Sequence, residues 1–247
     1  MMEKFLVERL TYKRTFAKKL CFIAPSFFIV YALFMLGTLE SPFTYFEHTV
    51  FNWWPFIFIP FMIAIVSSLT IMRDKKSGNE RDFRFYPIKF TQLWFSKIAV
   101  VGYYTLLSSL TLVLLLIGLG LFYPEALTSI STILYASFVI WVTSLTLIPI
   151  LLISAYLFGT VVTNMINIIG MVVGVIFATD SVWIYIPWSW SLRLMAPIVG
   201  VHPNGVPLEN NDPLLVPSVI PLGILVAIIS FIGLSLGTAL IYAKKGK

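Results

Sequence analysis

The sequence predicts an all-α integral membrane protein with six transmembrane helices. Hydrophobic residues make up 59% of the 247 and charged residues 11%, whereas a soluble domain carries roughly 25% charged residues. The apolar residues fall into membrane-length runs, and runs of about 20 residues cross hydrocarbon as helices. Short alternating strands, the mark of a membrane barrel, are missing. Lys and Arg are confined to the segments that six crossings place on one side. Such cationic segments are retained in the cytoplasm.

Residues 3–20 (EKFLVERLTYKRTFAKKL) open the chain with paired charges. At 3.6 residues per turn Phe5, Leu6, Leu10, Tyr12, Phe16, Ala17 and Leu20 gather on one side, with Arg9 and Lys13 intruding. This predicts a basic interfacial helix over 1–20, its long cations snorkelling to an anionic leaflet. An ordinary positive flank for the first span is the simpler reading. No small-residue cleavage pattern follows the first apolar run, so it reads as an uncleaved anchor. The spans are predicted at 21–37, 55–72, 98–122, 132–156, 161–178 and 218–242, in a single domain covering 1–247. Trp53 and Trp54 stand at a boundary where aromatic anchors are expected. Spans four and five are separated only by residues 157–160 around Gly159. Sixteen of the 17 Lys and Arg lie in the two ends and the loop after span two, with Arg193 alone outside. Both termini are therefore expected in the cytoplasm of a cell-membrane protein.

That loop, Met72 to Lys97, carries seven Lys/Arg against three acids. Aromatic and aliphatic residues are threaded among the charges. Arg81, Asp82, Arg84, Phe85, Tyr86, Pro87 and Lys89 are its candidate contact residues. The loop suits docking on a soluble partner or the membrane surface; a solvated loop that merely sets topology is the alternative.

Some chemistry is missing. No span holds a titrating group near its centre, which argues against a gradient-driven transporter. No GxxxxGK[ST] loop is present, so ATP hydrolysis is not expected of this chain. A lone cysteine, Cys21, excludes a disulfide framework, and His48 and His202 form no convincing ligand set. A catalytic site and a metal are not expected, nor is a nucleic-acid partner.

The spans do carry packing chemistry. Gly170 and Gly174 stand four apart in span five, as do Gly233 and Gly237 in span six, allowing close backbone approach. Asn164 and Asn167 offer amides for interhelical hydrogen bonds. These residues suit either a dimer or substrate-pathway surface, or packing within the subunit. The outer segment 179–217 is apolar and aromatic, with Trp183, Trp188 and Trp190 broken by Pro187 and Pro197. It predicts a re-entrant or interface-lying helical pair. Outer acids exceed Arg193, six to one; an acidic aromatic mouth would attract a cationic amphipathic ligand, and exclusion of cations from outer loops yields the same balance by default.

Three stretches together resemble the permease subunits of lantibiotic immunity (self-protection) ABC transporters, the MutE/EpiE family: Glu8–Leu20, Asn52-Trp53-Trp54-Pro55 and Pro187–Leu208. The resemblance implies an ABC-2 type permease with an N-terminal amphipathic elbow helix near 5–19. It also implies a cytoplasmic coupling helix at 74–90, a smaller contact at 157–164, and an outer re-entrant hairpin between helices five and six. Trp183, Pro187, Trp188, Trp190 and Arg193 would be the substrate-facing residues of that hairpin. The implied partners are two copies of an ATP-binding subunit, which hold the ATP and Mg, and a second related permease. No cofactor binds this chain itself. The implied cargo is a lantibiotic, a cationic antimicrobial peptide, expelled from the membrane to confer bacteriocin resistance. An ABC-2 exporter of another cargo (another peptide antibiotic, a lipid-linked glycan, sodium) and a non-transporting membrane scaffold are the alternatives.

Overall fold

A computed structural model describes residues 2–12, 16–38, 45–77, 89–124, 127 and 129–246. Every regular element among them is helical. Helix α1 runs Met2–Tyr12, α2 Phe16–Thr38, α3 Phe46–Trp53, α4 Ile59–Ser77 and α5 Phe90–Gly120. Helices α6 (Ile130–Ser144), α7 (Leu147–Phe177), α8 (Pro187–Val199) and α9 (Val219–Gly246) follow. Five helical stretches are long and apolar enough to cross a membrane, and the one from Ile130 to Phe177 spans 48 residues.

Two boundaries differ from the sequence-based expectation, each for a local reason. The first apolar helix starts at Phe16 rather than 21, so Lys18 and Lys19 belong to its first turn. The second starts at Phe46, not 55, because α3 continues into α4 through a π-helical turn, Trp54–Phe58. Pro55 has no N–H to give the preceding turn, and the ladder widens so that Ile59 N–H bonds to Trp54 O. At the 157–160 connection no long loop intervenes: one helix ends and the next begins at Gly159, as the sequence spacing predicts.

The chain nevertheless reverses there. Gly159 sits at φ 82°, ψ −179°, a conformation essentially reserved for glycine. Thr163 Oγ1 donates to Ser154 Oγ across 3.1 Å. Nine residues along a straight helix would separate their Cα atoms by roughly 13 Å, so the two halves of α7 fold back on each other.

This hairpin packs against α4, α2 packs on α5, and α8 lies against α6 and α7. At one end of the bundle Trp94 stacks on Tyr242, with centroids 4.7 Å apart, and Tyr242 meets Tyr156 edge-on at 4.9 Å. Lys75 Nζ donates to Tyr156 O at 3.0 Å. The end of α4, the start of α5, the α7 reversal and the end of α9 therefore share that end. At the other end Asn52 Nδ2 donates to the carbonyls of His202 and Pro203, at 3.1 and 3.0 Å.

The reversal depends on Gly159 for backbone freedom alone, because nothing lies within 4 Å of a Cβ built there. Gly159→Ala is expected to cost about 1–3 kcal/mol. Thermal unfolding in detergent should show the lower midpoint, and an unchanged midpoint would mean the reversal is unstrained.

Candidate functional site

A charged side chain inside a helical bundle is tolerated only when paired, since desolvation costs several kcal/mol per ion. Four such side chains meet at the basic end. Arg73 and Asp74 come from the last turns of α4, Lys97 from the second turn of α5, and Glu8 from α1. Lys97, with its side chain 2% exposed, forms an ion pair with Asp74 and lies 3.5 Å from Glu8 Oε1. Arg73 pairs with Glu8 and reaches Asp74 Oδ1 at 3.2 Å. Two cations and two anions make the cluster formally neutral.

Tyr12 extends it. Its ring lies 4.8 Å below the Arg73 guanidinium, and its hydroxyl bonds to Thr70. Burial, aided by the Glu8 carboxylate, pushes the Tyr12 hydroxyl well above its usual range, so it stays protonated at neutral pH. The cluster thus fastens α1 to the ends of α4 and α5 that flank residues 78–88. It stands at the base of the basic loop.

Of the candidate contact residues, Arg81, Asp82, Arg84, Phe85, Tyr86 and Pro87 lie outside the described residues. Lys89 is exposed and precedes α5 in extended conformation. The nearby α7 reversal is held locally: Asn164 Nδ2 donates to Thr160 O at 2.8 Å. The sequence reading missed Glu8, Arg73, Asp74 and Lys97 as a unit. The available signal was Asp74 and Lys97 standing at the two edges of apolar runs, one of each sign.

The outer segment forms a 3-10 turn, Ser181–Tyr185, followed by α8. Pro187 starts α8 as its first residue, and Gly200, at φ 78°, ends it. Its tryptophans turn inward, whereas Tyr185 is 82% exposed. Trp190 is 2% exposed and donates from Nε1 to Ile184 O at 3.0 Å; Trp183 is 7% exposed. Arg193 is buried and donates to Leu214 O at 2.8 Å. Burial draws its pKa down against the opposing pull of Asp212, and its guanidinium stays charged.

Trp188 settles the role of one glycine pair. Its Nε1 donates to Asn167 Oδ1 at 3.0 Å, and its ring and backbone fill the groove over Gly170 and Gly174. A Cβ on Gly170 would lie 2.4 Å from the ring, and one on Gly174 2.8 Å from the Trp188 backbone. This pair packs within the subunit. Gly233 and Gly237 have nothing within 4 Å of a Cβ position.

These features define an all-helical, multi-pass membrane protein whose described residues show no cluster of His, Cys, Asp and Glu able to hold a metal. The family model for ABC-2 family transporter proteins matches residues 5–178, more than half of the chain. The chain therefore belongs to the ABC-2 transporter family, as a transmembrane permease of the kind that works with an ATP-binding subunit. The match contains the whole charge cluster, the basic loop and the Gly159 reversal, and ends just before the outer segment. Comparison with curated proteins and with solved structures gives no match.

Gly170→Ala and Gly174→Ala should each cost about 1–3 kcal/mol by overpacking against Trp188. Gly233→Ala and Gly237→Ala should leave stability unchanged or raise it by up to about 1 kcal/mol, since Ala favours helix. Unfolding midpoints of the four purified variants check this, and equal losses at both pairs would contradict it.

Proposed function

We propose that this chain is the permease subunit of an ATP-driven exporter that expels a lantibiotic from the bacterial cell membrane and so gives self-immunity. In this reading the chain crosses the membrane six times with both termini cytoplasmic. The Gly159 reversal is the inner turn between spans four and five. Helix α1 is the elbow, residues 74–90 seat on the ATP-binding subunit, and 182–200 form the outer hairpin. Two ATP-binding subunits holding ATP and Mg, and a second related permease, complete the assembly.

The observation that carries the energy source is the buried cluster at the base of a loop rich in cations and aromatics. A displacement of residues 78–88 by a partner would reach α4 and α5 together, because Asp74 and Lys97 bind the two ends of the segment to each other. Glu8 would pass the same displacement to α1. Sixteen of the 17 Lys/Arg on the side of the termini support the orientation.

The cargo rests on the resemblance of Pro187–Leu208 to lantibiotic immunity permeases. Within the outer segment Trp183, Trp190 and Arg193 hold α8 in place, while Asp180 and Glu209 remain exposed as acids for a cationic peptide. The hairpin then acts as a rigid rim rather than a flexible aromatic trap.

Reversing charge at Arg81, Arg84 and Lys89 together should abolish co-purification of the ATP-binding subunit while the protein still inserts into the membrane. An intact complex would remove this loop from the coupling role. Tolerance of cells carrying the full transporter should rise for a lanthionine-bridged cationic peptide and not for bacitracin. The opposite selectivity would remove the cargo assignment and leave the coupling assignment standing.

A further inference from the structure

A second basic feature lies beside the cluster. A pocket of about 420 Å³ opens between α1, α2 and α5, lined by Leu6, Arg9, Leu10, Lys18, Tyr103, Tyr104 and Leu107. Two cations enter it, Arg9 from α1 and Lys18 from the first turn of α2, and no carboxylate is among the lining residues. Neither cation forms an ion pair among the described residues. In the neighbouring pocket of about 490 Å³ on the α4 side, Arg73 is already held by Glu8 and Asp74.

The wall of the first pocket is fixed. The Arg9 guanidinium sits 4.9 Å over the Tyr103 ring, Phe5 meets that ring edge-on at 6.0 Å, and Tyr104 packs on Tyr12 at 5.1 Å. The pocket is also graded in polarity. Leu107 lies one turn of α5 beyond Tyr103, roughly 6 Å further along the helix. Leu6 and Leu10 are 45% and 64% exposed on the α1 side.

We infer that this pocket binds one anionic phospholipid of the leaflet at the basic end. Arg9 and Lys18 would hold the phosphodiester, and Leu6, Leu10 and Leu107 would flank the glycerol and upper acyl chain. Charge complementarity selects the occupant: paired unneutralised cations favour an anion over a zwitterion, and the leucines add affinity only for an anion carrying hydrocarbon. The lipid would seat α1 against α5 from the side opposite the Glu8 pairings. The inference requires only that α2 and α5 cross the bilayer. It is independent of cargo and of the ATP-binding subunit.

The test is native mass spectrometry of the full chain released from nanodiscs of equal parts phosphatidylglycerol and phosphatidylcholine. Phosphatidylglycerol should be retained in preference. A juxtamembrane cation contributes about 1 kcal/mol, or about fivefold, so Arg9→Gln with Lys18→Gln should lower retention by about 25-fold. Lys18→Gln alone, on an exposed side chain, should lower it about fivefold and serves if the double variant fails to insert. Lys19→Gln with Lys244→Gln removes the same charge outside the pocket and should leave retention unchanged. Equal retention of phosphatidylcholine, an equal loss in that control pair, or displacement of the lipid by inorganic phosphate would each overturn the assignment.

Discussion

The interaction on which the rest of the structure depends is the buried pairing of Lys97 with Asp74, closed by Glu8 and Arg73. An ammonium group 2% exposed inside a helical bundle is admissible only with its counter-charges in place. This requirement fixes three things at once: the approach of α4 to α5, the seating of α1 across them, and the closed base of the loop between Asp74 and Lys97. Apolar packing alone would let these helices slide, because lipid tails offer Leu and Ile as good an environment as a neighbouring helix does. The charges specify a register that hydrocarbon leaves open.

The two ends of the bundle are built on different principles. The basic end joins its helices by ions and by the Trp94, Tyr156 and Tyr242 aromatic cluster. The rest of the bundle joins them by fit and by neutral hydrogen bonds: Trp188 in the Gly170–Gly174 groove, Asn52 clamping the 202–203 carbonyls, and Thr143 Oγ1 bonded to Ser191 Oγ at 2.7 Å. Exposed faces remain on α2 (Phe27, Val30, Phe34) and α9 (Leu225, Ile229, Leu236, Leu240), where lipid or another permease can lie.

Helix type and the approximate spans were legible because hydrocarbon imposes one residue class over one length. The outward limits were not. Pro55 reads as a helix boundary in sequence, yet a π turn absorbs it and adds Phe46–Trp53 to the helix. Gly159 was legible as the break between two helices, and the left-handed backbone there is what makes the connection so short. At the site, cations were visible but pairing was not: Asp74 read as one acid in a basic loop, Glu8 as part of an amphipathic flank. Partners 65 and 23 residues apart are set by tertiary packing, which local patterning does not encode. The tryptophans of the outer segment looked suited to a ligand because aromatic composition cannot distinguish a ring facing a groove from one facing the outside.

The four charged side chains must act as one unit if their pairing sets the register of α1, α4 and α5. A double-mutant cycle on Asp74→Asn and Lys97→Met, read by equilibrium unfolding in mixed micelles, measures this directly. Each single change should cost about 3–5 kcal/mol by stranding a buried charge. The double variant should lose far less than the sum, leaving a coupling energy of about 2 kcal/mol or more. Strict additivity of the two losses would contradict it.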